Sequence, residues 1–282
     1  MEPKNTTTTS DLKILVNPEP AKFAQGELID IVAVHGLGGS ALKTWSSKPF
    51  GLYGKSTLWL RDLLPAKIPN VRVMSLQYDS SVFGRSAQAI RDNARKLLQL
   101  LYNQREDNRD AQKRPIVFIG HSLGGLLIKQ ALKLANQNTK FRDISTSTKG
   151  IIFFGTPHRG SDKAAWLKLL TEVSSTVSNR PDPTFVKDLQ TNSETLLKIS
   201  QDFQPLVKDY AIVSFYEEHE HRMLGTVVVD KLSAVMGLPH EEAMMLTGDH
   251  SGMCKLTGMN DPRFDPIWRA IRRASRGRMY TN

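Results

Sequence analysis

Arg114-Pro115-Ile116-Val117-Phe118-Ile119-Gly120-His121-Ser122-Leu123-Gly124-Gly125-Leu126-Leu127 is a short apolar, β-branched run that stops at Gly-His-Ser-Leu-Gly and gives way to an apolar helical pattern. The spacing predicts strand, tight turn and helix. Gly120 and Gly124 carry no Cβ to clash where strand and helix approach, so a serine between them can be held on a strained turn with its hydroxyl pointing into open space. Ser122 would also sit by the helix N-terminus, where unpaired N–H groups and the positive end of the dipole favour negative charge developing on a substrate oxygen.

The five-residue pattern alone is a weak signal, and its context strengthens it. Leu28-Ile29-Asp30-Ile31-Val32-Ala33-Val34 reads as a buried strand running into His35-Gly36-Leu37-Gly38-Gly39. A nucleophile elbow paired with a glycine-rich loop that offers a second oxyanion donor predicts an α/β-hydrolase fold. That fold is a mostly parallel sheet with helices on both faces.

The 282 residues are 40% hydrophobic and 23% charged, as in soluble globular proteins, and no apolar run reaches the roughly 20 residues of a membrane helix. The N-terminus has neither a signal core nor the arginines of a transit peptide, and the one cysteine, Cys254, cannot form an internal disulfide. These features predict a cytoplasmic protein. The net charge of +10 is spread along the chain without an aromatic-interleaved basic strand or zinc spacing, which argues against nucleic acid. Arg269, Arg272, Arg273, Arg276 and Arg278 follow one another with no acid between them, a candidate contact for an anionic membrane surface.

Residues 1–27 read as an N-terminal extension with an edge strand at Leu12–Val16, and residues 28–282 as the hydrolase domain. Within it, Val71–Tyr78 is the next strand, with Asp79 at its end in a local backbone role. Apolar residues at helical spacing from Ser86 to about Gln104 mark an amphipathic helix, followed by a charged exit loop from Arg105 to Arg114. Lys149–Phe154 and Tyr210–Tyr216 read as strands, and Val227-Val228-Val229 as the last one. Helical patterns around Trp166–Val177 and from Ser193 to Phe203 make 162–209 a candidate lid insertion. The apolar Trp166, Leu169 and Leu170 there favour a lipid-like substrate.

A serine hydroxyl needs a base, and the base needs a carboxylate to fix its tautomer. In this fold the chain order is serine, acid, histidine. His35 and His121 precede or abut Ser122, His158 follows too early to leave room for an acid, and His219, His221 and His240 lie in polar loops. His250, beside Gly248 and Gly252 after every strand, is the candidate base. The acid is Glu217, at the end of one strand, or Asp230, at the end of the next, with Glu218 a further option. Asp249 is too close in sequence to reach the far side of the imidazole. The backbone N–H groups of Leu37 and Leu123 are the candidate oxyanion hole. No cofactor or metal enters this scheme.

The blocks Val34–Gly39, Gly120–Leu126, Gly155-Thr156-Pro157-His158-Arg159-Gly160-Ser161, Ser214-Phe215-Tyr216-Glu217, Ser233-Ala234, Asp249-His250 and Cys254-Lys255 together resemble the serine-esterase/lipase-like α/β-hydrolases. Similar members are the serine-active-site-containing, phospholipid-remodelling type and the hydrolase domains at the N-termini of fungal NOD-like receptors. The resemblance covers residues 28–275 and implies Ser122 as nucleophile, His250 as base and Glu217 as acid. No nucleotide-binding or repeat region follows in this sequence, so a receptor role would need a partner chain or a truncation. The expected activity is cleavage of a carboxylic ester, of a small molecule or a lipid, through an acyl-serine intermediate. Its optimum should be neutral to alkaline, because His250 must be unprotonated to act as base. The competing expectation is a non-catalytic effector module that binds lipid or protein.

Overall fold

In the computed structural model, the described residues are 11–18, 28–49, 55–106, 112–158, 171–174, 184, 187–188, 191–219 and 228–278. Seven strands form one sheet: β1 (Leu12–Val16), β2 (Ile29–Val34), β3 (Val71–Leu76), β4 (Ile116–His121), β5 (Thr148–Phe154), β6 (Ala211–Glu217) and β7 (Glu242–Leu246). Their order is β1-β3-β2-β4-β5-β6-β7, and all neighbours are parallel except β1, which runs antiparallel to β3 at the edge. The longer helices among the described residues are α1 (Ala87–Glu106), α2 (Gly124–Gln137), α3 (Ser193–Phe203) and α4 (Phe264–Ala274), with short helices and turns between.

The central strands are continuous apolar runs because both faces are covered. Alternate residues go to opposite cores: Ile116 and Phe118 of β4 pack with α1, α2 and α3, while Val117 and Ile119 pack with α4, Trp45 and Trp59. α1 buries the stripe Ile90, Ala94, Leu97, Leu98 and Leu101, as its helical period requires. The chain moves from β2 outward to β3 and then returns to β4 on the other side of β2. The loops after β2 and β4 therefore leave adjacent strands at the point where the strand order reverses, the crevice in which α/β sheets place ligands.

Two expectations are corrected. Val228 and Val229 lie in a bend, and the seventh strand is instead Glu242–Leu246, an edge strand whose alternate side chains are partly solvated. Arg105 belongs to the last turn of α1 and is buried, not part of an exit loop. It reaches Asp30 of β2, which also holds Arg72 through bonds of 2.8 and 2.7 Å. Of the candidate lid, Trp166, Leu169 and Leu170 lie outside the described residues. The described helix α3 packs on α2 through Leu196 and Phe203 and does not line the serine's cavity. Among the described residues no helix is long and apolar enough to cross a membrane.

Candidate active site

β4 delivers Ser122 to the sheet's carboxyl edge. The Ser122 N–H donates to the Phe154 carbonyl of β5 at 2.9 Å, and its own carbonyl accepts from Gly125 N–H at 3.1 Å and Thr156 Oγ1 at 3.0 Å. These bonds hold Ser122 at φ +54°, the one non-glycine residue with positive φ among those described. Such a conformation costs a side-chain-bearing residue roughly 1–2 kcal/mol. The turn also depends on very close approach. A β carbon on Gly124 would run into the carbonyls of Val34 and His35, and one on Gly36 would stand 2.6 Å from Ser122 Cβ.

His250, 1% exposed, lies in the loop after β7. Its Nδ1–H donates to Glu217 Oε1 at 3.1 Å, and the same oxygen accepts the Val229 N–H at 2.7 Å. Val228 and Val229 are thus buried to bring a backbone donor to the carboxylate rather than to extend the sheet. On the opposite side of the ring, His250 Nε2 is buried without a hydrogen-bond partner among the described residues, and so is Ser122 Oγ. Both residues line one cavity of about 220 Å³, with Leu37, Lys43, His121 and Lys255. The structure therefore brings together Ser122, His250 and Glu217.

Asp230 is not part of this group. It is the N-cap of a short helix, its Oδ1 accepting from Ser233 N–H at 2.7 Å. Glu218 faces His219 at 3.7 Å, and Asp249 closes its own turn on Gly252 N–H at 2.7 Å. Asp79 pairs with Arg85 at the surface. Among the described residues, neither the Leu37 nor the Leu123 amide donates to a protein acceptor, and Leu123 is the residue that opens α2.

Two further histidines, His121 and His35, brace the site. His121 Nε2–H donates to the His250 carbonyl at 2.8 Å, and burial, helped by the neighbouring His250, pushes its pKa down to about 3. His35 stacks on Tyr78, whose hydroxyl donates to the His35 carbonyl at 2.7 Å, and burial lowers the His35 pKa as well. His158 accepts from Lys129 Nζ at 2.7 Å through Nδ1. His219 is exposed, His240 is half-buried against the Val207 carbonyl, and His221 lies outside the described residues.

Two features escaped the sequence reading. Arg263 holds the His250 loop by donating to the carbonyls of Gly252 at 2.9 Å and Lys255 at 3.0 Å, while Asp261 fixes the guanidinium at 2.7 and 2.9 Å. Its loop partners are backbone oxygens, which no residue pattern marks. The two lysines lining the cavity, Lys43 and Lys255, are far apart in sequence and meet only in the fold. Of the C-terminal arginines, Arg269 pairs with Asp265 and Arg273 with Glu242. Among the described residues no group of three histidines, cysteines or acids is placed to hold a metal ion.

A mostly parallel sheet with a strained serine at a strand-to-helix turn defines an α/β-hydrolase. The mature lipase BlEst2 of Bacillus licheniformis shares the fold, with a TM-score of 0.53 at 17% identity over 91% of this chain and 97% of that one. The chain belongs to the family described as "Putative serine esterase (DUF676)", whose model matches residues 29–214. It is similar to Protein SERAC1 of Danio rerio, 30% identical over 246 residues, and of Homo sapiens, 29% identical over 250 residues. Each match covers 80% of this chain and 36% of the relative, so the chain spans about a third of the length of those proteins.

Proposed function

We propose that the protein hydrolyses a carboxylic ester through an acyl intermediate on Ser122. His250 Nε2 takes the Ser122 proton as Oγ attacks the ester carbonyl, and the amides of Leu37 and Leu123 receive the oxyanion. His250 then passes the proton to the departing alkoxide, and a water activated in the same way releases the acid. Glu217 keeps the Nδ1 proton in place and stabilises the imidazolium. The observation that carries this reading is the bond from His250 Nδ1 to Glu217, with His250 Nε2 and Ser122 Oγ both buried, unpaired and opening on one cavity. A thioester would fit the same steps.

The test is labelling by a fluorescent fluorophosphonate, with folding of each protein checked by circular dichroism. The native chain should label, while Ser122→Ala and His250→Ala should not. A folded native chain that stays unlabelled would refute hydrolysis and leave the binding-module alternative.

A further inference from the structure

Lys43 and Lys255 both line the cavity that holds Ser122 and His250. Lys43 is exposed on the turn that follows the His35 loop, and Lys255 is half-buried five residues after His250. Among the described residues neither makes an ion pair, unlike the surface pairs Lys96–Asp11 and Lys133–Asp202. No carboxylate lines the cavity among the described residues. Glu217 lies behind the His250 ring, on its Nδ1 side, and Asp249 is turned onto Gly252 N–H. The charge of Lys255 reaches the site, where it adds to burial and His250 in opposing protonation of His121.

Two cations without counter-ions beside a reacting serine would repel a cationic substrate and gain nothing from a neutral one. We infer that the ester this site takes carries an anionic group, a carboxylate or phosphate, near the scissile carbonyl, and that Lys43 and Lys255 bind it. The inference rests on the esterase reading of Ser122. It names the charge of the substrate and leaves its source, a soluble ester or a lipid headgroup, to the experiment.

The soluble arm compares kcat/KM for 4-nitrophenyl succinate, which carries a free carboxylate, with that for neutral 4-nitrophenyl pentanoate. The lipid arm compares lysophosphatidate with monoacylglycerol in phosphatidylcholine vesicles, read as fatty acid released. The anionic substrate should be favoured about tenfold at low salt in at least one arm, and the ratio should shrink as salt rises. In Lys43→Gln/Lys255→Gln it should fall close to one. A ratio near one in both arms, or one that the double variant leaves unchanged, overturns the inference while Ser122-dependent turnover upholds hydrolysis.

Binding of 4-nitrophenyl succinate to Ser122→Ala, followed by calorimetry, gives a readout without turnover. Binding that is lost in the lysine variants, with no ester hydrolysed by the native chain, would uphold the anion site and refute the esterase. Absence of both binding and turnover would refute both.

Discussion

Glu217 and Asp230 each end a stretch that reads as a strand, and only their partners separate them. Glu217 Oε1 meets His250 Nδ1, whereas Asp230 is spent on the Ser233 amide. Removing the charge at Glu217 would leave the ring in place with its tautomer no longer fixed, and the imidazolium unsupported. Glu217→Gln should therefore lower kcat by about 10²–10⁴-fold, near the upper end if the tautomer inverts. Asp230→Asn should keep kcat within about twofold, since Asn caps a helix nearly as well as Asp. Steady-state kinetics on one neutral nitrophenyl ester checks both, and a loss at Asp230 equal to that at Glu217 would contradict the assignment.

At the scale of elements, α2 does more than present the N-terminus beside Ser122. Lys129, on its second turn, is fully buried, and its ammonium donates to His158 Nδ1 and Ser200 Oγ, each at 2.7 Å. Ser200 in turn donates to the His158 carbonyl at 2.8 Å, so one side chain ties α2 to α3 and to the loop after β5. Burial pushes the Lys129 pKa down to about 7, from 10.5. Between those values the unfolded chain binds the proton and the folded one has released it, so stability should rise with pH. From pH 7 to 8.5 the contribution is about 2 kcal/mol. Urea midpoints of the native chain and Lys129→Met at both pH values test this. The difference in midpoint between the two proteins should change with pH, and a constant difference would refute it. Comparison at equal pH also cancels the opposite contribution of Cys254, whose thiol burial pushes up.

For the whole molecule, the two ends of the sheet carry different burdens. The carboxyl edge holds Ser122 and His250, while the other end holds the buried group Asp30, Arg72 and Arg105, with Asp30 beside Ile116 at the start of β4. Arg105 also donates to the carbonyls of Gln112 and Arg114, which anchors the return from α1 into β4. Replacing Asp30 would leave two arginines without their counter-ion in the interior. Asp30→Ala should cost about 3–5 kcal/mol in chemical denaturation. Fluorophosphonate labelling per folded molecule should stay unchanged, because the reacting groups lie at the opposite end of the strands. A stability loss under 1 kcal/mol would show that the cluster does not hold the fold together.

The strands β1 to β6 and the helices α1 to α3 were legible because apolar period and glycine punctuation are local properties of the chain. The same holds for Ser122, since a glycine-flanked serine between a β-branched run and a helical pattern has few other conformations open to it. The order of elements narrowed the candidate base to His250. Residue type and position could not choose the acid, because that choice depends on which carboxylate the loop after β7 meets. β7 was hidden by its partly solvated edge position, and Val228 and Val229 read as a strand although their burial serves Glu217. Arg105, Lys129 and Arg263 looked like solvated charges, since local sequence does not record burial among distant carbonyls and carboxylates. The sequence by itself determined six of the strands, the elbow and the serine held on it. Tertiary packing alone decided the buried cations and the lysines beside Ser122, and the bond to His250 separates Glu217 from Asp230, because each depends on contacts between residues far apart in the chain.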